Sequence, residues 1–193
     1  MLIIFPAISK VFTQSPNLDS LILQENVYPF EDTIRVKKQL EICRAFNGIN
    51  SPKGLPYASK ALALAIKLEY KSGQASALSS KGNSSFGQAD YLSAMDSYQK
   101  AMLLNEELNN KQGVANNLNN IGLIYYSVLD YPKAQEYYHK ALKINEQLKN
   151  TQGVINSYGN IGNIFNDMKD YGKALEYYND ALAAAQTVGN QSS

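Results

Sequence analysis

Asn119–Tyr126 reads NNIGLIYY, and forty residues later Gly159–Asn166 reads GNIGNIFN. In both, a glycine interrupts an apolar run bordered by asparagines. Neither residue favours a helix interior. A strand would set Gly122 on the opposite face from Ile121 and Leu123. The surroundings repeat as well. Gly73, Gly113 and Gly153 are forty apart, and so are Gly82, Gly122 and Gly162. Asp-Tyr recurs at Asp90, Asp130 and Asp170, followed by Ala94, Ala134 and Ala174, then Tyr98, Tyr138 and Tyr178, then Ala101, Ala141 and Ala181. Between residues 112–142 and 152–182, 17 of 31 positions are identical.

Within a unit the apolar spacing is helical. Leu118, Ile121, Ile124, Tyr125 and Val128 form one set; Ala134, Tyr137, Tyr138, Ala141, Leu142, Ile144 and Leu148 form a second. Asp90, Asp130 and Asp170 precede the second set, where a carboxylate can accept from the unpaired N–H groups of a first helical turn. Pro132 falls in that turn, where its missing N–H costs nothing. Each unit is therefore expected to be two antiparallel helices joined by a tight turn.

These residues resemble the tetratricopeptide repeat, whose pattern is W-x2-L-G-x2-Y followed by A-x3-F and a further alanine. Here it reads Leu118, Ile121, Gly122, Tyr125, Ala134, Tyr138, Ala141, and next Tyr158, Ile161, Gly162, Phe165, Ala174, Tyr178, Ala181. The unit before is weaker, with Lys81 and Ser85 at large apolar positions. The forty-residue period exceeds the common one of about 34 and resembles the longer-helix repeats of LGN-type and kinesin-light-chain proteins. The resemblance implies an all-α fold, a right-handed α-solenoid of stacked helix pairs.

A degenerate unit precedes the clear ones. Tyr57, Ala61, Leu62 and Leu68 stand eighty residues before Tyr137, Ala141, Leu142 and Leu148. This places a second helix over Leu55–Lys71, a first over Thr33–Phe46, and a loop at Asn47–Gly54. The expected organisation is a repeat array over 32–193, divided at 32–72, 73–112, 113–152 and 153–193, preceded by an N-terminal segment with linker at 1–31. Met1–Ile8 is nearly all apolar and Ser15, Pro16 and Asn17 follow, without a basic n-region or a small-x-small cleavage site. Two possibilities stand: a secretory-signal remnant, which would make the protein periplasmic or secreted, or a segment packing on the first helix of a cytoplasmic protein.

Composition excludes several classes. Net charge is +1, too small for a nucleic-acid footprint, and Arg35, Lys37 and Lys38 read as a solvated helix face. No apolar run reaches the roughly 18 residues that span a bilayer. Cys43 and His139 are the chain's one cysteine and one histidine, so neither an internal disulfide nor a Cys/His zinc site is available. Cys43 sits in an apolar stretch and reads as a buried thiol. The glycines at 159 and 162 have no strand or lysine to make a phosphate loop. No catalytic constellation, cofactor or metal is expected, and the chain is not expected to be an enzyme.

The asparagines are the exception to packing. On the first helix of each unit, steps of four, three and four define one stripe: Ser76, Ser80, Asn83, Gly87; Asn116, Asn120, Leu123, Ser127; Asn156, Asn160, Asn163, Asp167. A core would reject so many amides, and a plain solvated face would favour Lys and Glu. In the LGN-type and kinesin-light-chain resemblance this face is concave and its asparagines hold peptides. By that resemblance Asn116, Asn120, Asn156, Asn160 and Asn163 are the candidate peptide contacts, with Asn83 and Tyr126 beside them. The alternative is hydrogen bonding between neighbouring repeats.

The function expected is a module binding an extended or helical segment of a protein or peptide. A second expectation rests on SPNLDSL, EDTIRVKKQL and SPKGLPYASKALALAIKL, which resemble bacterial tetratricopeptide sensors. There the array belongs to a larger histidine kinase, cyclase or transcription regulator. The last helix has no following helix to cover it, so self-association through that end is also expected.

Overall fold

The computed structural model describes residues 16–47 and 51–191. All elements among them are helices: α1 (Pro16–Asn26), α2 (Thr33–Asn47), α3 (Ser51–Lys67), α4 (Lys71–Phe86), α5 (Tyr91–Glu107), α6 (Lys111–Ser127), α7 (Tyr131–Gln147), α8 (Thr151–Asp167) and α9 (Tyr171–Gln191). Each of α2/α3, α4/α5, α6/α7 and α8/α9 is a packed pair, and the pairs stack through α3/α4, α5/α6 and α7/α8. First helices also meet one another, α2 with α4, α4 with α6 and α6 with α8. This is an all-α solenoid.

The stacking interface is apolar. Ala94 and Tyr98 of α5 bury Ile121 and Ile124 of α6; one repeat on, Ala134 and Tyr138 of α7 bury Ile161 and Ile164 of α8. Each fully buried isoleucine contributes about 1.5–3 kcal/mol, so stability comes largely from the neighbour. Inside a pair the glycine decides the spacing. A β-carbon on Gly122 would lie 2.7 Å from Cδ1 and Cε1 of Tyr138. Gly82 meets Tyr98 and Gly162 meets Tyr178 in the same way.

The five turns from α4 to α9 are built alike. Leu129 donates to the Tyr126 carbonyl at 3.0 Å and Asp130 to the Tyr125 carbonyl at 2.9 Å, a Schellman closure of α6. Asp130 then caps α7 by accepting from the Lys133 N–H at 3.3 Å. One residue thus ends one helix and starts the next. Asp90 and Asp170 act the same way, and so do Asn110 and Asn150, which cap α6 and α8. The closure requires a left-handed residue, found at Glu69, Ala89, Asn109, Leu129, Lys149 and Lys169. Their spacing of twenty is half the repeat.

Several boundaries differ from the sequence expectation. Pro16–Asn26 is a helix rather than a linker, since Leu18 is buried against Ile42 and Phe46 of α2. Met1–Ser15, where the secretory-signal question lies, is outside the described residues. Ser51–Gly54 belongs to α3 instead of the loop, with Pro52 in a first turn that needs no N–H from it. Val128 and Leu148, placed in the apolar sets, are exposed because their helices have already closed. In α4, buried Ser84 lies 3.7 Å from the Cys43 sulfur, and burial pushes that thiol up, keeping it protonated. No helix among the described residues is long and apolar enough to cross a membrane.

Two outcomes test this packing. Gly122→Ala gains about 1 kcal/mol of helix propensity but overpacks a ring only 1% exposed, at a cost of about 1–3 kcal/mol. It should lower the thermal midpoint, whereas Gly162→Ala should be near neutral or stabilising because Tyr178 is 37% exposed and its ring can swing away. Equal effects would mean the ring contact does not set the spacing. Leu129 adopts φ 62° and is 70% exposed, so Leu129→Gly relieves strain without losing packing. The expected gain is roughly 1 kcal/mol, seen as a rise in midpoint; a fall would contradict it.

Candidate functional site

The surface formed by α4, α6 and α8 is built from amides and hydroxyls. A cleft of 350 Å³ opens between α4 and α6, with Ser76, Ser79, Ser80 and Asn83 on one wall and Asn116, Asn117 and Asn120 on the other. A second, of 300 Å³, opens between α6 and α8, lined by Asn116, Asn119, Asn120, Asn145 and Asn156. Arg44 of α2 is the one ionisable residue lining the first cleft, and the second has none.

The expected site residues divide into two groups. Asn83, Asn116, Asn120 and Asn156 line the clefts. Asn160 stands beside the second cleft, donating to Asn119 Oδ1 at 2.9 Å. Asn163 and Tyr126 line neither. Asn163 Oδ1 accepts from the Tyr178 hydroxyl at 2.7 Å. Tyr126 donates to Asp167, and that hydrogen bond, with some burial, pushes its hydroxyl up to about 12.

Hydrogen bonds between repeats are present too. Asn120 Nδ2 donates to Asn83 Oδ1 at 3.3 Å, and the Tyr126–Asp167 bond links α6 to α8. These bonds engage one arm of each amide. Asn83 Oδ1 also accepts from the Tyr98 hydroxyl at 2.8 Å, which leaves Asn83 Nδ2 without a partner among the described residues. Stacking and exposure of donors therefore coexist in the same side chains.

Beneath the stripe lies a second amide layer. Asn105 and Asn145 are buried near the ends of α5 and α7. A β-carbon on Gly113 would lie 2.4 Å from Asn105 Cγ, and one on Gly153 2.3 Å from Asn145 Oδ1. Asn110 and Asn150 cap α6 and α8 while donating to these buried oxygens at 2.7 and 2.9 Å. Asn117, also buried, has both arms engaged: it donates to the Gly113 carbonyl and accepts from Ser79. The stripe pattern missed this layer and Arg44. A signal for the layer existed in the forty-residue recurrence of Asn105/Asn145, Asn110/Asn150 and Gln112/Gln152. Arg44 had none, lying in the degenerate unit.

The site holds donors and acceptors but no proton-transfer or metal constellation; no group of three His, Cys, Asp or Glu able to hold a metal occurs among the described residues.

Residues 113–187 match the family model described as tetratricopeptide repeat. No curated protein is similar enough in sequence to match. Among solved structures, the chain resembles aspartyl phosphate phosphatase F from Bacillus subtilis at 20% identity and a TM-score of 0.77, over 88% of this chain and 44% of that one. A Rap protein complexed with Competence and Sporulation Factor is similar at 19% identity and TM-score 0.78, over 88% and 48%. A putative kinesin light chain from Podosopora anserina is similar at 12% identity and TM-score 0.65, over 90% and 85%. The chain spans about half the length of the first two. At these identities the likeness is one of fold. Residues 113–187 thus carry the tetratricopeptide repeat, and the same glycine-on-tyrosine contact between α4 and α5 extends its helix-pair architecture to the preceding unit.

Proposed function

We propose that this chain is a protein-interaction module that holds an extended segment of a partner along the first-helix face. The observation that carries this is the pair of amide-lined clefts, which follow one another along α4, α6 and α8. An extended backbone offers alternating N–H and C=O groups with no partner of their own, and carboxamides supply both complements. Asn83, Asn116, Asn120, Asn156 and Asn160 make these contacts, with Asn163 and Tyr126 bordering the far end. The neighbour solved with Competence and Sporulation Factor supports a fold able to receive a partner.

The double substitution Asn120→Ala with Asn160→Ala tests it. Each loses one partly exposed hydrogen bond, about 0.5–1.5 kcal/mol, so helical content should stay and the melting midpoint change little. Capture of the partner by the purified chain should fall at least tenfold. A loss of melting stability that tracks the loss of capture would place these amides in stacking alone.

A second surface has its own observation. Tyr171, Leu175, Tyr178 and Leu182 of α9 are exposed along one helical stripe. Their counterparts Tyr138 and Leu142 are 1% and 8% exposed, against 37% and 56% for Tyr178 and Leu182. In every earlier pair a following first helix covers this stripe. A further helix covers it here, from a second copy or from a larger signalling protein containing the array. Sedimentation velocity should reveal association that rises with concentration and is abolished by Leu175→Lys with Leu182→Lys. A monomer at every concentration excludes the second copy.

A further inference from the structure

A third cleft, of 480 Å³, opens between α1, α2 and α3, away from the amide-lined face, and charged side chains dominate it. Most of them are paired. Arg35 Nε donates to Glu25 Oε1 at 3.0 Å, and Lys67 pairs with Glu31. Lys60 forms no ion pair among the described residues; its ammonium stands 5.4 Å from the centre of the Tyr57 ring.

Glu25 and Gln39 line the same cleft at 4% and 5% exposure. Burial pushes the Glu25 carboxyl up, but the bonds from Gln39 and Arg35 outweigh it and hold the group below its usual range, ionised at neutral pH. A carboxylate only accepts, so the Gln39 amide must turn its NH₂ group towards it. Gln39 Nε2 accordingly donates to Glu25 Oε1 at 2.9 Å. That fixes the other arm of the amide as an oxygen, and Gln39 Oε1 is buried with no partner among the described residues. Such an acceptor is rare in a folded protein and costly to leave unpaired. Both donors to Glu25 share Oε1, so its Oε2 is left over as well. The cleft therefore lacks a donor for two oxygens and an anion for one lysine.

We infer that the cleft between α1, α2 and α3 binds a small zwitterion of the amino-acid class, whose ammonium donates to Gln39 Oε1 and Glu25 Oε2 while its anionic group meets Lys60. An ammonium carries three donors, enough for both oxygens, and its charge strengthens the bond to the carboxylate. A buried water could serve Gln39 Oε1 but would bring charge to neither Glu25 nor Lys60. Ala63 and Leu64 line the same cleft and offer apolar surface to a short aliphatic side chain. The ligand bridges three helices, so occupancy should raise the melting midpoint by mass action. This site shares no residue with the segment-binding face, and neither reading depends on the other.

The probes are L-leucine, N-acetyl-L-leucine without an ammonium, L-leucinamide without a carboxylate, and phosphoethanolamine, with phosphate in place of the carboxylate. Binding is read from the Gln39 side-chain NH₂ signals in ¹⁵N-labelled full-length protein and from the melting midpoint. L-leucine or phosphoethanolamine should shift both and bind on the order of tenfold or more tightly than the acetylated and amidated compounds. The tighter of the two identifies the anionic group as carboxylate or phosphate. Lys60→Gln should erase the advantage of that anionic group. Lys53→Gln makes the same charge change on α3 outside the cleft and should leave binding intact. Gln39→Leu should weaken every ammonium ligand by about tenfold; if that variant fails to fold, the exposed Lys60 still decides. Equal binding of all four compounds, or a preference that survives Lys60→Gln, overturns the proposal. Binding of none at millimolar concentration overturns it too, and makes water the partner of Gln39.

Discussion

The contact of a glycine with a tyrosine ring inside the three pairs α4/α5, α6/α7 and α8/α9 is the constraint on which the array depends. Gly82, Gly122 and Gly162 give up side chains so that the rings of Tyr98, Tyr138 and Tyr178 can pack directly against the partner helix. Without a β-carbon the axes approach closely, and the ring fills the space that two ordinary side chains would share. Tyr98 and Tyr138 then pack against Ile121 and Ile124, or Ile161 and Ile164, of the next pair. In the α8/α9 pair the contact persists while Tyr178 is 37% exposed.

Helix ends carry a second constraint, and it reaches the amide-lined face. The turn residue that closes one helix also caps the next, so two sets of orphan backbone groups are satisfied by one side chain. Where that side chain is Asp, as at 90, 130 and 170, the capping ends there. Where it is Asn, at 110 and 150, an NH₂ group remains and must donate somewhere. It donates inward to Asn105 or Asn145, and Asn150 also to Gln112. Backbone geometry at a helix start thereby constrains the amides around the clefts.

Much of the fold was legible because a repeat averages out local ambiguity. Gly122 in isolation is a poor helix residue; three glycines at forty-residue spacing, each in the same apolar frame, leave one consistent reading. The degenerate unit was harder because Pro52 and Gly54 resemble a loop, and the first turn of α3 absorbs both. Val128 and Leu148 misled for a related reason. Apolar residues in a Schellman turn continue the helical spacing after the helix has stopped. The polar stripe was partly legible: Asn83, Asn116, Asn120 and Asn156 do meet around the clefts, since steps of four and three share a face. Asn163 and Tyr126 share that face but face Tyr178 and Asp167 rather than a cleft.

Periodicity in the sequence by itself determined the helix pairs, their stacking order and the polar stripe, because each follows from spacing along one chain. Tertiary structure alone decided which amide atoms remain available. That depends on bonds such as Asn150 to Gln112, 38 residues apart, and on Arg44 reaching a cleft whose walls belong to α4 and α6. An asparagine in a sequence is both donor and acceptor, and only the partner that takes one arm fixes what the other can bind.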